Sequence, residues 1–354
     1  MTKDEVLAEF DPNGVGIDGT LFGFPFSVEN AELVLIPVPW EVTVSYGSGA
    51  SKGPASILEA SPQIDFAIDD ITESWKLGIT MLPISSDWEK ENEQWRKHSA
   101  PYIKWLENGK PKANSNLIRN TPEAVNVISR KLNEWVKDQA LTLLYSDKMV
   151  GVIGGDHSTP YGLISALCER YKDFGILQID AHADLREAYE GFEFSHASIM
   201  YNALKNPQVS KLVQVGVRDY CEAELDFIRR SSGRVKTYFY RNIRKNLFKG
   251  ENWREICEEI IDQLPNHVYV SFDIDGLDPK LCPNTGTPVP GGFEFEEINF
   301  LLRTLVKSGK KIIGFDLCEV APGKNDQWDG NVGARVLYML SCLMAVSQGK
   351  LRMI

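Results

Sequence analysis

The sequence predicts an α/β fold in which a parallel β-sheet is covered by helices on both faces. Eight short runs rich in Val, Ile, Leu, Phe and Tyr recur along the 354 residues, and most are apolar on consecutive positions. Consecutive apolar residues are typical of strands that are buried on both faces. Segments of helical length lie between several of these runs, and such alternation indicates parallel strands joined by helices.

The candidate strands are spread over most of the chain. They cover residues 33–36, 77–80, 149–154, 174–180, 211–217, 235–240, 267–275 and 311–317. The predicted helices cover residues 122–141, 222–231, 252–264 and 294–308. The last of them has apolar residues at helical spacing, acidic residues in its first turn and Lys307 near its end, which suits the helix dipole.

Residues 84–120 interrupt this rhythm because they are polar, charged and dotted with tryptophan. We interpret them as an insertion into a single domain that spans residues 1–354, and we expect one or two amphipathic helices there. The insertion is either a plain surface excursion or a lid or interface element.

Charge and composition limit the main partners and the cellular location that we expect. The net charge of −11 argues against nucleic acid and anionic membranes, since both repel an acidic surface. The N-terminal residues do not form a signal peptide, and we expect no segment to approach the roughly 20 apolar residues that span a bilayer. Six scattered cysteines without a C-x-x-C motif indicate reduced thiols and a cytoplasmic protein.

Acidic residues and histidines concentrate where the predicted strands end. In QIDAHADLR, residues 178–186, two acids and a histidine alternate with small residues. A period of two would point them toward the same side, and ligands of open α/β sheets bind beyond the carboxyl ends of the strands. The motifs GGDHS, DAHAD, FDIDGLDP and CEVAP contribute the candidate residues His157, Asp180, His182, Asp184, Asp273, Asp275 and Glu319.

So many carboxylates in one partly buried place would repel one another unless cations offset them. Four aspartates, which carry −4 in total, match two divalent ions, and an oxygen and nitrogen ligand set without cysteine favours Mn²⁺ over a thiolate-bound zinc. The pattern therefore predicts a two-metal hydrolytic site that generates hydroxide at neutral pH. Each motif alone is also compatible with a capped Gly-Gly turn, a solvated strand end or a calcium-like loop, and only their conjunction points to metal.

Together these motifs resemble the ureohydrolase family of arginases, agmatinases, guanidinobutyrases and formimidoylglutamases. GGDHS, DAHADLR, SFDIDGLDP, NTGTPVPGG and EVAP carry the resemblance, which covers most of the chain. It implies a single three-layer α/β domain with a central eight-stranded parallel sheet, two Mn²⁺ ions per chain and a homotrimer or homohexamer. The substrate would be a small guanidino or formimino compound, and the products urea, or formamide, and an amine.

The resemblance also implies roles for individual residues. His157 and Asp184 would bind the first metal, His182 and Asp275 the second, and both Asp180 and Asp273 would bridge the two ions. Asp184 would also give a proton to the leaving amine, Glu319 would pair with the guanidinium, and His196 would relay protons to solvent. His196 could instead be a structural histidine, and Glu319 a helix-cap or salt-bridge acid.

Arg186 raises the question of the substrate. It stands where arginases keep an asparagine, and its guanidinium could clamp a carboxylate. That interpretation favours arginine or another carboxylate-bearing guanidino compound, with agmatinase and formimidoylglutamase activity as alternatives. Arg186 could equally form a structural or intersubunit ion pair. A deacetylase-like hydrolase or a non-catalytic binding protein on the same scaffold are the remaining alternatives.

Overall fold

An eight-stranded parallel β-sheet forms the centre of the protein. The computed structural model describes residues 1–111 and 120–354. The order of the strands across the sheet is β3-β1-β4-β9-β8-β5-β6-β7. Its members are β1 (Leu33–Val38), β3 (Ile79–Met81), β4 (Met149–Gly154), β5 (Phe174–Ile179), β6 (Val209–Val215), β7 (Val235–Tyr238), β8 (His267–Asp273) and β9 (Lys311–Cys318). All eight predicted strands are present, although several of their ends shift by two residues.

Helices cover both faces of this sheet, so that every residue of β1, β4 and β5 is buried. All four predicted helices are confirmed, with ends that differ by a few residues at most. The described helices are α1 (Lys3–Glu9), α2 (Gly53–Ala60), α3 (Ser86–Glu107), α4 (Thr121–Tyr145), α5 (Tyr161–Arg170), α6 (Ile199–Ala203), α7 (Glu222–Arg230), α8 (Tyr240–Phe248), α9 (Trp253–Asp262), α10 (Phe295–Lys307) and α11 (Trp328–Ser347).

The C-terminal helix α11 is more apolar than we expected, since the sequence analysis predicted no segment close to the roughly 20 apolar residues that span a bilayer. Among the described residues it is the one helix that is long and apolar enough to cross a membrane by length and composition, with a mean hydropathy of 1.2. However, 72% of this stretch is buried inside the protein, where the helix packs against β9 and α2. It is apolar on nearly all sides because it lies in the core, and for the same reason it lacks the amphipathic pattern of a surface helix.

Helix α3 occupies most of the segment interpreted as an insertion, and residues 112–119 of that segment lie outside the described part of the chain. The helix packs against α4 and contacts two loops beyond the sheet. Arg96 donates a hydrogen bond to the carbonyl of Val44 (2.7 Å), and the Tyr102 hydroxyl donates one to the carbonyl of Glu190 (2.8 Å). The helix therefore supports loops on the carboxyl side of the sheet.

A small second sheet was not predicted from the sequence. Its strands, β2 (Ile71–Thr72) and β10 (Arg352–Met353), have two residues each and pair antiparallel. Runs this short carry no periodicity to recognise.

Phe315 tests the packing of the central strands. It is fully buried in β9, and its ring fills the space beside Gly151 of the neighbouring strand. We expect Phe315→Ala to lower the free energy of unfolding by about 3–5 kcal/mol because it leaves a cavity. Phe300→Ala, on the exposed side of α10, is the matched control, and chemical denaturation compares the two. Similar losses in both variants would contradict this picture of the core.

Candidate active site

The carboxyl ends of four adjacent strands, β4, β9, β8 and β5, converge on one place. These are the middle strands of the sheet. Each is followed by one of the motifs singled out in the sequence. The strand order, which the sequence did not reveal, is thus what brings the motifs together, in agreement with the rule that ligands bind beyond the carboxyl ends of strands in open α/β sheets.

The turn after β4 presents His157. At Gly155 a β-carbon would lie 2.0 Å from the carbonyl oxygen of Trp40, so only glycine lets the chain pass there. Asp156 then closes the turn by accepting a hydrogen bond from the backbone N–H of Ser158 (3.0 Å). The imidazole of His157 is held by its Nε2, which lies 2.9 Å from Oγ of Ser271. Its Nδ1 therefore faces the strand ends.

The segment after β5 does not continue as a strand, which corrects the expectation of a period of two. The strand ends at Ile179, and the carboxylate of Asp180 accepts a hydrogen bond from the backbone N–H of His182 (2.6 Å). Asp184 has a left-handed backbone with φ of 54°. A turn, rather than the pleat of a strand, thus gathers these side chains. Left-handed φ values in non-glycine residues cost energy and concentrate at functional sites.

The segment after β8 is folded in a similar way. Asp273 accepts a hydrogen bond from the backbone N–H of Asp275 (2.9 Å), within a short 3₁₀ turn over Ile274–Gly276. Oδ1 of Asp275 accepts another from the backbone N–H of Ala181 (3.0 Å), which ties this turn to the one after β5.

Three carboxylates surround Nδ1 of His157. This nitrogen lies 3.1 Å from Asp180, 3.0 Å from Asp184 and 3.2 Å from Asp273, measured to Oδ2 in each case. It is buried and makes no hydrogen bond with any described residue. A buried imidazole nitrogen surrounded by three carboxylate oxygens is a donor set that suits a divalent cation, so these residues fit a metal ion.

A second group of acids and imidazoles shares Asp180 with the first. Nδ1 of His182 lies 3.0 Å from Oδ2 of Asp275 and 3.6 Å from Oδ1 of Asp180. One oxygen of Asp180 therefore faces His157 and the other faces His182. The geometry suits a carboxylate that bridges two neighbouring cations.

Burial and mutual repulsion dominate the electrostatics of this region. Burial, followed by the charges of Asp275 and Asp180, raises the pKa of Asp273 well above its usual value. Burial and the charge of Asp180 raise the pKa of Asp184 to about 7. For His157 burial alone would lower the pKa, but the three surrounding carboxylates outweigh it and raise the pKa well above normal. The site therefore favours bound positive charge.

Glu319 follows β9 and points toward the same region. Its side chain is buried, and its carboxylate accepts a hydrogen bond from the backbone N–H of His157 (2.9 Å). Its φ of 63° is also left-handed, and its backbone is fixed by hydrogen bonds with Gly155 and Thr285. Burial and the charge of Asp156 raise the pKa of this carboxyl group.

His196 forms part of the wall of the site. Its Nδ1 lies 3.4 Å from the hydroxyl oxygens of Thr43 and Ser195, and its ring meets that of Tyr189 edge-on at 6.1 Å. Burial, followed by the positive charges of His182 and His157, lowers the pKa of His196 to about 3. The imidazole of His196 is therefore neutral at neutral pH, and the protonated form is disfavoured there.

Arg186 lies at the site but has partners of its own. Its Nε is 3.7 Å from Oε2 of Glu224, and its guanidinium stacks 4.6 Å above the ring of Tyr189. Glu224 is buried and also accepts hydrogen bonds from the backbone N–H groups of Leu185 and Cys221. Arg186 therefore forms an ion pair within the protein, which is one of the two roles that the sequence left open.

A cavity of about 150 Å³ is lined by most of these residues, whereas Asp180 and Asp275 are buried and do not line it. Sequence reasoning missed several of the residues that line it, because single polar residues in loops carry no recognisable pattern. Its lining consists of Ser45, His157, His182, Asp184, Arg186, Tyr189, His196, Ala197, Asp219, Glu224, Asp273, Thr287 and Glu319. A larger cleft of about 720 Å³ near Phe10, Phe66 and Trp75 lacks such a cluster of acids and imidazoles.

The sequence of this chain is similar to those of known proteins along most of its length. Residues 31–342 match the Arginase family. An N(1)-aminopropylagmatine ureohydrolase from Thermus thermophilus is 31% identical over 322 residues, which cover 91% of this chain and 93% of that protein. An agmatinase from Bacillus cereus is 26% identical over 296 residues, which cover 84% of this chain and 86% of that protein.

The fold is likewise shared with solved structures. The agmatine ureohydrolase of Thermoplasma volcanium superimposes with a TM-score of 0.68 at 21% identity, over 98% of this chain and 99% of that one. The chain therefore belongs to the arginase family of ureohydrolases, which are metal-dependent hydrolases acting on amidino C–N bonds.

Proposed function

We propose that this protein uses two divalent metal ions to hydrolyse a linear guanidino compound, with release of urea and an amine. The observation that carries the proposal is the unpartnered Nδ1 of His157 amid three carboxylates, one of which is shared with the second ligand group. Membership of the arginase family favours this activity over a deacetylase-like hydrolase or a binding protein.

The ligand roles that we propose follow from the contacts in the site. His157 and Asp184 would hold one ion, His182 and Asp275 the other, and Asp180 and Asp273 would bridge them. We propose Mn²⁺ in both positions, because all the ligands are oxygen or imidazole nitrogen. When bound, the ions would lower the pKa of a shared water so that hydroxide is available at neutral pH.

The chain's own residues would orient the substrate and move protons. The carboxylate of Glu319, fixed by the backbone of His157, would accept hydrogen bonds from the guanidinium. Asp184 would pass a proton to the leaving amine, and His196, in the same cavity, would exchange protons with solvent. Left-handed backbones hold both Asp184 and Glu319, so these two side chains are preorganised.

For the substrate we propose a guanidino compound with a cationic tail, as in agmatine. Arg186 is paired with Glu224, whereas the cavity-lining carboxylate of Asp219 is exposed and makes no ion pair or hydrogen bond among the described residues. That leaves a free negative charge for an amine. Two of the relatives are named for agmatine or aminopropylagmatine.

A carboxylate-bearing substrate such as arginine is the second candidate. Arg186 lines the cavity, and its contact with Glu224 at 3.7 Å is longer than a direct hydrogen bond. A substrate carboxylate could therefore compete for the guanidinium. Formiminoglutamate would meet the same group.

We further propose a homotrimer or homohexamer in the cytoplasm, without nucleic acid or membrane as partner. The location is supported by six free cysteines, four of them buried, which suit a reducing compartment. The net charge of −11 supports the absence of nucleic acid and anionic membranes among the partners, since both would repel an acidic surface.

The nature of the tail can be tested at Asp219. We expect Asp219→Asn to raise KM for agmatine by several-fold to about tenfold, because a charged hydrogen bond is lost. Butylguanidine, which lacks the amine, should respond little, and urea release measures both. Arginine, guanidinobutyrate, guanidine and formiminoglutamate complete the panel. Equal changes for agmatine and butylguanidine would argue against recognition of the amine.

Arg186→Ala separates the two candidate substrates. With a cationic tail we expect KM for agmatine to change less than twofold or to fall, since a repelling charge is removed. If arginine is the natural substrate, this variant should instead raise its KM about tenfold or more. Urea release under Mn²⁺ saturation measures both constants.

Asp273→Asn tests the metal centre through stability. Its raised pKa means that the ionised side chain costs folding energy at neutral pH, so the metal-free variant should melt at the same temperature as the wild type or higher. Added Mn²⁺ should raise Tm of the wild type by several degrees and that of the variant much less. Asp262→Asn, at an exposed position, is the control. An equal Mn²⁺ response in all three proteins would contradict the assignment.

A further inference from the structure

A row of polar side chains crosses the middle of the sheet one level below the metal centre. Residues paired in register on adjacent strands occupy the row from β7 through β6, β5 and β8 to β9. Four of the five are fully buried, and the first lies half-buried on the edge strand. The row consists of Thr237, Gln214, Gln178, Ser271 and Asp316.

Hydrogen bonds run in a single direction along the first three members of this row. The hydroxyl of Thr237 donates to Oε1 of Gln214 (2.7 Å), and Nε2 of Gln214 donates to Oε1 of Gln178 (2.7 Å). Nε2 of Gln178 then donates to Oδ2 of Asp180 (2.8 Å). The chain of donors therefore starts at the edge of the sheet and ends on the carboxylate proposed to bridge the two ions.

The same two amides also grip the turn that carries the ligands. Nε2 of Gln214 donates to the carbonyl of Ala183 (2.6 Å), and Nε2 of Gln178 lies 3.5 Å from the carbonyl of His182. Both carbonyls belong to the segment between Asp180 and Asp184. The glutamines thus fix the side chain of one ligand and the backbone next to two others.

We propose that Gln178, Gln214 and Thr237 are positioning residues that hold Asp180 in its metal-binding orientation; the inference rests on the metal centre proposed above. A glutamine amide can turn over and exchange its oxygen for its nitrogen. If Gln178 did so, its oxygen would face the carboxylate of Asp180 and repel it. The carbonyl of Ala183, which can only accept, opposes the same reversal in Gln214, and the hydroxyl of Thr237 donates to the Oε1 of Gln214 that remains.

A purely structural role would look different in solution. Burying two amides in strands that are otherwise apolar costs free energy unless every group is paired. Apolar replacements would then change stability alone. Partners that orient metal ligands, by contrast, typically change metal affinity about 10–100-fold when removed.

The test measures the affinity of the metal-free protein, with the whole chain present, for Mn²⁺ by isothermal titration calorimetry. We expect Gln178→Leu to weaken the binding of at least one ion about 10–100-fold. We expect Thr237→Val, two residues further along the row, to weaken it about threefold or more, whereas Thr237→Ser should bind as the wild type does. Ser341→Ala, which removes a buried hydroxyl from α11, is the control for a general loss of polar packing.

The outcomes separate this inference from the proposed function. If the wild type binds two ions and Gln178→Leu and Thr237→Val bind them equally well, the positioning role is wrong and the metal centre stands. If the wild type binds no Mn²⁺, both are wrong. Should Gln178→Leu fail to fold, the Thr237 pair decides alone, because valine and serine fit the half-buried edge position. Wild-type Mn²⁺ affinity in Thr237→Ser, together with weaker binding in Thr237→Val, would attribute the loss of affinity to the missing hydroxyl.

Discussion

The concentration of buried negative charge at one edge of the sheet is the constraint on which this structure depends. Seven buried carboxyl groups lie within the last residues of the four middle strands or in the turns that follow them: Asp156, Asp180, Asp184, Asp273, Asp275, Asp316 and Glu319. Ionised carboxylates at such density are costly in a medium of low dielectric. The backbone N–H groups of tight turns, the imidazoles of His157 and His182 and, on our proposal, two dications balance them.

Much of the fold could be predicted because its strands are buried on both faces. Consecutive apolar residues identified all eight strands of the main sheet, and β4 was located to the residue. The order of the strands could not be predicted, since pairing depends on contacts distant in sequence. Helix α11 was missed because a core helix has no polar face, and α1 and α6 are too short for a periodic pattern.

The site was predictable where the chain repeats a chemical type at strand ends, and less so elsewhere. All the proposed ligands and Glu319 were found through motifs, although turns rather than a strand pleat bring Asp180 and Asp184 together. The substrate end of the cavity was not predictable. The interpretation of Arg186 depended on Glu224, which lies on α7, 38 residues further along the chain, and no local pattern links the two.

The row of polar side chains from Thr237 to Asp316 bears on how the sequence of this fold can vary during evolution. Its outermost member, Thr237, lies on the edge strand β7. Among the described residues its hydroxyl donates a hydrogen bond to Gln214 rather than to a proposed metal ligand, and Thr237 does not line the cavity. On our proposal, residues on β6 and β7 would tune how tightly the ions are held while every proposed ligand stays the same. Proteins with identical ligand motifs would then differ in metal affinity through side chains that lie two strands away from the proposed ligands.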